Sequence, residues 1–118
     1  MEQSFSLTSA IEKDCLVIAT SGYVNNVGGE AIAGEFRRHS TTGIRKIVLN
    51  LAGSKVVNSV GMSFLIEIIE ELQGKGGKLC FTNLDPAVEK MLAIMGLFTF
   101  AGKEATVADA LRLYATED

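Results

Sequence analysis

The sequence predicts an α/β domain with a mixed sheet of four to five strands flanked by about four helices. Short apolar runs of strand length alternate with longer runs whose apolar residues recur every three or four positions. The first two strand-like runs are separated only by residues 12–14, which are polar, and this favours a hairpin. An opening hairpin followed by alternating strands and helices indicates both antiparallel and parallel pairing.

The predicted elements follow this pattern along the chain. Strands are expected at residues 4–10, 15–22, 44–51 and 78–83, with a short edge strand at 97–101. Helices are expected at about 27–40 and 60–73, then from 85–86 up to Gly96, and finally after Thr106. Asn26 is the predicted N-cap of the first helix, and Gly74 is the glycine expected just past the end of the second.

Composition excludes several functional classes. The 118 residues suit one domain, 1–118, and the net charge of 11 − 14 = −3 argues against a general nucleic-acid binder. No apolar run approaches the roughly 20 residues of a membrane-spanning helix, so no membrane segment is expected. The first residues also lack the layout of a signal peptide. We therefore expect a cytoplasmic protein.

The residue types needed for catalysis do not form a recognisable set. His39 is the single histidine, and it shares a predicted helix face with Ile32 and Phe36, so a core or half-buried position is favoured over a general base. Cys15 and Cys80 each lie inside an apolar strand run, which favours reduced core thiols. No metal-binding spacing or phosphate loop is present. We expect no enzyme activity, no catalytic residue, no metal and no cofactor.

The stretch VVNSVGMSFL, residues 56–65, forms the junction between a strand and the second helix. Ser59 is expected at the N-terminal end of that helix, where unpaired N–H groups and the helix dipole favour negative charge. A phosphate on Ser59 would therefore be tolerated. The same position also suits an ordinary N-cap. The residues alone leave both roles open.

The second helix carries more apolar surface than a helix lying on a sheet needs. Its apolar arc covers roughly 200°, against about 100° or somewhat more for a helix packed on one side. One explanation is that neighbouring helices cover the additional apolar surface. The other is that Met62 and Ile66, beside Ser59, form part of a partner-binding surface.

The order and spacing of several short motifs resemble the STAS domain of bacterial anti-sigma factor antagonists. The most specific part is IVLNLAGSKVVNSVGMSFL, residues 47–65, which is similar to the family's strand, loop and Asp-Ser-Ser/Thr-Gly-Leu helix start. Residues 22–25 correspond to a Gly-x-Leu-Asp landmark, and Gly96-Leu97 corresponds to a Gly-Leu after the third helix. The resemblance extends from the first strand to the last helix.

This resemblance implies a STAS-like fold and a function in partner switching without catalysis. A typical member binds an anti-sigma factor that is also a serine kinase of the GHKL type, which releases a sigma factor for transcription. The kinase phosphorylates the antagonist and breaks the complex, and a PP2C-type phosphatase restores it. By position, Ser59 is the expected phosphoacceptor. The expected switch loops contain Asn25, Asn26, Asn58 and Gly61, and the expected partner interface contains Val60, Met62 and Ile66.

Three family aspartates are asparagines in this chain, at Asn25, Asn50 and Asn58. Asparagine keeps the size and hydrogen bonding of aspartate but removes its charge. Weaker repulsion would make a phosphate at Ser59 easier to hold. Alternatively, the kinase reads one of the missing carboxylates, and this chain is phosphorylated poorly or by another kinase. A STAS scaffold or transporter-accessory subunit that binds partners without phosphorylation is the alternative function.

Overall fold

The computed structural model describes residues 4–115 and contains a five-stranded mixed sheet. Its strands are β1 (Ser6–Glu12), β2 (Cys15–Ser21), β3 (Lys46–Gly53), β4 (Lys78–Thr82) and β5 (Gly102–Glu104). They lie side by side in chain order, with β1 antiparallel to β2 and the other neighbours parallel. The helices in this part of the chain are α1 (Asn26–Ser40), α2 (Ser59–Gly74), α3 (Pro86–Ile94) and α4 (Val107–Ala115). The predicted fold class is confirmed.

The opening hairpin turns through two residues. Lys13 and Asp14 both adopt positive φ, 51° and 67°, and the flanking residues Glu12 and Cys15 pair directly. Positive φ at both central residues is the geometry of a type I′ turn, whose twist matches that of the two strands. The predicted hairpin is therefore confirmed, and it leaves β1 at one edge of the sheet.

The two faces of the sheet are covered unequally. Consecutive apolar residues of the central strands alternate between the faces, as expected for strands buried on both sides. Leu16 and Ile18 point to the face covered by α1, α2 and α3. Cys15, Val17 and Cys80 point to the opposite face, which is covered by α4.

Both cysteines are structural. Cys15 and Cys80 are free thiols that are 1% and 0% exposed, so the prediction of core thiols is confirmed. Burial raises the pKa of the Cys15 thiol because the thiolate loses its hydration there. A buried, protonated thiol is a poor nucleophile, and neither cysteine is a candidate reactive group.

The predicted edge strand and the predicted end of the second helix are both wrong. Residues 97–101 do not form the edge strand, because Gly96 takes a left-handed conformation (φ 81°) and Leu97–Thr99 curl into a 3₁₀ turn that buries Leu97. The edge strand is β5 instead. Gly74 is the last residue of α2 rather than the glycine beyond it. The glycine with left-handed backbone that follows the helix is Gly76, with φ of 73°. The next residue, Gly77, donates its amide hydrogen to the Leu72 carbonyl at 2.7 Å.

A partly buried ion cluster ties α1 to β1. The Glu35 carboxylate, 14% exposed, accepts hydrogen bonds from the Arg38 guanidinium (2.6 Å) and the Ser9 hydroxyl, and it lies 3.2 Å from His39 Nε2. The Arg38 and Ser9 hydrogen bonds lower the pKa of Glu35 to about 2. His39 is 19% exposed, which agrees with the predicted half-buried position.

The Glu35 cluster predicts acid-sensitive stability. The folded-state pKa lies below its ordinary value of 4.5, so the carboxylate stabilises the fold above that pH, and this contribution is lost as the pH falls toward about 2. Glu35→Gln should lower the free energy of unfolding at pH 7 by about 1–2 kcal/mol. Urea titrations between pH 7 and pH 2 should show the two proteins converging in acid.

The matched control is Glu30→Gln, an exposed residue of the same helix, which should change stability by less than about 0.5 kcal/mol. Equal stability of Glu35→Gln and wild type at pH 7 would contradict this role of the cluster.

Candidate functional site

The candidate site is a corner formed by two neighbouring loops and the helices they enter. The loop 22–25 leads from β2 into α1, and the loop 54–58 leads from β3 into α2. Because β2 and β3 are adjacent and parallel, both loops leave the same edge of the sheet. This is the edge at which ligands and partners of α/β domains commonly bind.

Backbone hydrogen bonds join the two loops. The Val24 amide donates to the Val56 carbonyl (3.0 Å), and the Asn58 amide donates to the Val24 carbonyl (3.1 Å). Val24 and Val57 form an isolated parallel bridge, and both side chains are buried. Each loop is therefore fixed by the other rather than left free to move.

Glycines allow α1 and α2 to approach this bridge closely. A Cβ atom on Gly61 would lie 2.1 Å from the Val24 carbonyl oxygen, a distance that no real side chain tolerates. A Cβ atom on Gly29 would lie 2.7 Å from the Phe64 ring and 3.1 Å from the Gly61 Cα. Gly61 is thus required by contact with the other loop, and this is the physical reason for a glycine at the second position after Ser59.

The two helices are capped by asparagines. Asn58 Oδ1 accepts from the Gly61 amide (2.8 Å), and Asn25 Oδ1 accepts from the amides of Val27 (3.0 Å) and Gly28 (3.1 Å). Each cap therefore lies one residue earlier than the candidates considered from sequence. Asn26 and Ser59 are the first residues of α1 and α2, so the predicted Asn26 cap and the N-cap role considered for Ser59 are both wrong.

The third asparagine uses its side chain in the same way. Asn50, near the end of β3, accepts the Ala52 amide on Oδ1 at 2.9 Å. Asn25, Asn50 and Asn58 thus each need only an acceptor oxygen, which an aspartate would also supply. Neither α1 nor α2 has an acidic residue in its first turn. The three asparagines therefore supply these hydrogen bonds without adding negative charge.

Ser59 is exposed at this corner, whose loop 54–58 also carries the exposed Lys55. Within residues 4–115 its hydroxyl makes no hydrogen bond, whereas the Ser63 hydroxyl one turn later donates to the Val60 carbonyl at 2.6 Å. Because Asn58 supplies the cap, the Ser59 hydroxyl has no structural task and is accessible to a modifying enzyme.

The corner that contains Ser59 carries four exposed apolar side chains. They come from both loops and from the first turns of α1 and α2, and all are 40–59% exposed: Tyr23, Val27, Val56 and Val60. We call these four residues the corner surface. Exposed apolar side chains that gather at one site are typical of protein-interaction surfaces.

The predicted interface on α2 needs one correction. Met62 is 1% exposed and belongs to the core beneath α1 and α2, so its expected place on an exposed strip is wrong. Ile66 is partly buried against the same core, and Ile69 is 5% exposed. Neighbouring elements thus cover most of the wide apolar arc of α2, which agrees with the first of the two explanations, coverage by neighbouring helices. Val60 is 47% exposed, and its role in a partner interface stays a prediction.

Sequence reasoning missed three members of the corner surface: Tyr23, Val27 and Val56. Tyr23 and Val56 lie in loops and Val27 lies in the first turn of α1, where no periodicity separates exposed from buried residues. The signal that was available is that each lies two residues from a capping asparagine, Asn25 or Asn58, and therefore at the same edge of the sheet as the caps.

In the described part of the chain, metal-binding clusters are absent and the single histidine lies far from the corner. Among residues 4–115, no three His, Cys, Asp or Glu side chains lie close enough together to hold a metal ion. His39 lies at the far end of α1 from Asn25, about 20 Å away by helical rise. No helix in the same range has the length and apolar character needed to cross a bilayer.

Fold and corner together define a class of small α/β domains in which an exposed serine opens a helix at the carboxyl edge of a mixed sheet. The sequence matches the family model of the STAS domain over residues 7–110. The chain therefore belongs to the STAS domain family.

Relatives of known description agree with this assignment. The chain is 25% identical over 100 residues to BtrV of Bordetella bronchiseptica, a candidate anti-sigma factor antagonist, covering 82% of this chain and 86% of BtrV. Its fold matches an anti-sigma factor antagonist from Mycobacterium paratuberculosis with a TM-score of 0.83, 22% identity and full coverage of both chains. It also matches phosphorylated SpoIIAA of Bacillus, with a TM-score of 0.72, 20% identity and coverage of 94% and 99%.

The close contact at Gly61 predicts a large and specific cost for a small substitution. Gly61→Ala should lower the free energy of unfolding by at least about 2 kcal/mol, because the added methyl group collides with backbone that cannot move aside. Gly34→Ala is the matched control, since it adds the same methyl group to an open site on α1 and should stabilise the protein by about 0.5–1 kcal/mol. Equal effects of the two substitutions in urea denaturation would contradict the contact.

The capping assignment predicts that alanine substitution lowers stability more at Asn58 than at the adjacent Ser59. Asn58→Ala should cost about 1 kcal/mol because the Gly61 amide loses its acceptor, whereas Ser59→Ala should cost less than about 0.5 kcal/mol. Asn58→Asp should keep the stability of wild type because its carboxylate still accepts the hydrogen bond. Thermal and urea denaturation of the three variants test this, and a Ser59→Ala loss as large as that of Asn58→Ala would show that the cap is wrongly assigned.

Proposed function

We propose that this protein is an anti-sigma factor antagonist that is switched by phosphorylation of Ser59. In its unmodified form it binds an anti-sigma factor that is also a serine kinase of the GHKL type, and a sigma factor is released. Phosphorylation of Ser59 breaks the complex, and a PP2C-type phosphatase restores the binding form. The protein acts in the cytoplasm by binding alone and catalyses no reaction.

The observation that carries the proposal is the exposed Ser59 hydroxyl at the start of α2. A kinase needs a hydroxyl that it can reach and that the fold does not require. Ser59 meets both conditions, because the neighbouring Asn58 caps the helix and the Ser59 hydroxyl has no hydrogen-bond partner among residues 4–115. The names of BtrV and of phosphorylated SpoIIAA support the same function.

Electrostatics favours a stable phosphorylated form. A phosphoserine adds about −1.5 to −2 charges at neutral pH. At residue 59 this charge lies at the positive end of the α2 dipole, and no acidic residue occupies the first turn of α1 or α2 to repel it. Phosphorylation is therefore expected to change the surface of the protein without unfolding it.

The corner surface explains why the phosphorylated form would release its partner. Val56 and Val60 flank Ser59 and are 54% and 47% exposed. A partner that packs on these side chains excludes water from the corner. A dianion introduced into such an interface loses hydration that apolar side chains do not replace, and this cost opposes binding. Partner binding and phosphorylation at Ser59 then become mutually exclusive.

One observation favours the alternative function. Three positions at which the family resemblance implies aspartate carry asparagine here, and a kinase that reads one of these carboxylates would not recognise this chain. Under the alternative, the protein is a STAS scaffold or a transporter-accessory subunit that binds through the corner surface without modification. The hydrogen bonds of all three asparagines are those an aspartate would make, so the alternative rests on charge alone.

The proposal predicts one phosphate at one residue. Incubation with the cognate anti-sigma factor kinase and ATP should add a single phosphate that mass spectrometry places on Ser59. Ser59→Ala should accept none. Ser63→Ala is the matched control, because Ser63 is exposed one turn further along α2, and this variant should be phosphorylated as wild type is.

Absence of phosphate on the wild type, or its persistence in Ser59→Ala, would contradict the proposal. Equal binding of a transporter subunit by wild type and Ser59→Ala, with no phosphate on either, would instead support the alternative.

A further inference from the structure

The outer edge of β1 is open along its whole length. β1 is the first strand of the sheet, and among residues 4–115 no strand pairs with its outer side. Natural proteins protect such edges with lysine, proline, a bulge or a very short strand. β1 spans seven residues, SLTSAIE, pairs with β2 without a register shift, and carries a charge only at Glu12, its last residue. None of the usual protections is present in the strand.

The hairpin turn determines which backbone groups point outward. In a two-residue type I′ hairpin, the residues flanking the turn form a hydrogen-bonded pair, and such pairs recur at every second position. Glu12 and Cys15 are that pair, so residues 6, 8, 10 and 12 direct their N–H and C=O groups toward β2. Leu7, Ser9 and Ile11 direct theirs away from the sheet, where they are available to another strand.

These outward residues are complementary to themselves. When two copies of β1 pair antiparallel about a two-fold axis at Ser9, Ser9 faces Ser9 of the second copy and Leu7 faces Ile11 of the second copy. Three hydrogen-bonded pairs then form, with about six backbone hydrogen bonds. Ile11 is 49% exposed in the single chain, and this pairing covers it with an apolar neighbour.

The helices above the strands fit the same arrangement. α1 packs over β1, with Glu35 bonded to Ser9, and its buried side chains share one core with Leu16 and Ile18 of β2. In the paired sheet the two copies of α1 lie two strand spacings apart, about 10 Å, which agrees with the usual distance between packed helices. The two Glu35 carboxylates meet near the axis, and their repulsion is offset by two Arg38 guanidinium groups that are 65% exposed on the same side.

We infer that the open edge of β1 is a homodimer interface at which two copies of this chain form one continuous ten-stranded sheet, five strands from each. The inference is independent of any role of Ser59. Because the two sheets run in opposite directions across the axis, their carboxyl edges point to opposite ends of the dimer. Both corner surfaces stay exposed, and the dimer offers two binding sites.

Solution mass tests the interface. Light scattering or sedimentation of the full chain, over about a hundredfold range of concentration, should show the mass rising from 12.6 kDa toward twice that value. Ile11→Lys should weaken the dimer at least about tenfold, because each lysine faces Leu7 of the second copy. Ile94→Lys makes the same change at a residue of α3 that is 72% exposed and should leave the dimer intact.

Cysteine cross-linking tests the register. In a hydrogen-bonded antiparallel pair the Cα atoms lie about 5.5 Å apart, within the range that a disulfide spans. Ser9→Cys should therefore form a disulfide-linked dimer under mild oxidation. Thr8→Cys should not, because Thr8 faces Ala10 of the second copy. The native cysteines are buried and do not interfere.

Three results would overturn the inference: a monomer at every concentration, a dimer dissociated by Ile94→Lys but not by Ile11→Lys, or a dimer whose Ser9→Cys variant does not cross-link. Circular dichroism confirms that each variant is folded before its mass is compared.

Discussion

The architecture of the corner depends on one close contact, between Gly61 at the start of α2 and the Val24 carbonyl in the loop that precedes α1. A side chain at Gly61 would lie 2.1 Å from that oxygen, so α2 reaches its position only because glycine is there. The same carbonyl accepts the Asn58 amide at 3.1 Å. The contact therefore sets where the cap lies, and the cap in turn sets where Ser59 emerges. The serine is presented by a rigid frame rather than by a flexible loop.

The asparagines separate two properties that an aspartate combines. A carboxylate at a helix start both accepts backbone hydrogen bonds and contributes negative charge. Asn25, Asn50 and Asn58 perform only the first task. The frame thus keeps its geometry without a carboxylate at these three positions, and the charged residue of the loop 54–58 is the exposed Lys55. The absence of these negative charges favours a phosphate in the modified form, and the exposed valines favour apolar contacts in the unmodified form.

The fold was largely predictable from sequence, because periodicity separates strands from helices and the hairpin turn is chemically distinctive. The place of Ser59 at the N-terminal end of α2 was also predictable from the residues around it. The cap positions, in contrast, were placed one residue late, since adjacent polar residues such as Asn58 and Ser59 are equally suitable caps by type. Met62 was misplaced because a wide apolar arc does not reveal how much of it a neighbouring helix covers. Tyr23 and Val56 belong to loops and Val27 to the first turn of α1, where exposure depends on tertiary packing.

The central claim is that one phosphate changes binding without changing the fold. Calorimetric titration of the anti-sigma factor into unmodified and fully Ser59-phosphorylated protein tests it most directly, with ¹H–¹⁵N spectra of both forms recorded alongside. We expect phosphorylation to weaken binding at least about a hundredfold and to shift resonances only around the corner. Equal affinity of the two forms, or spectral changes throughout the sheet, would contradict the account.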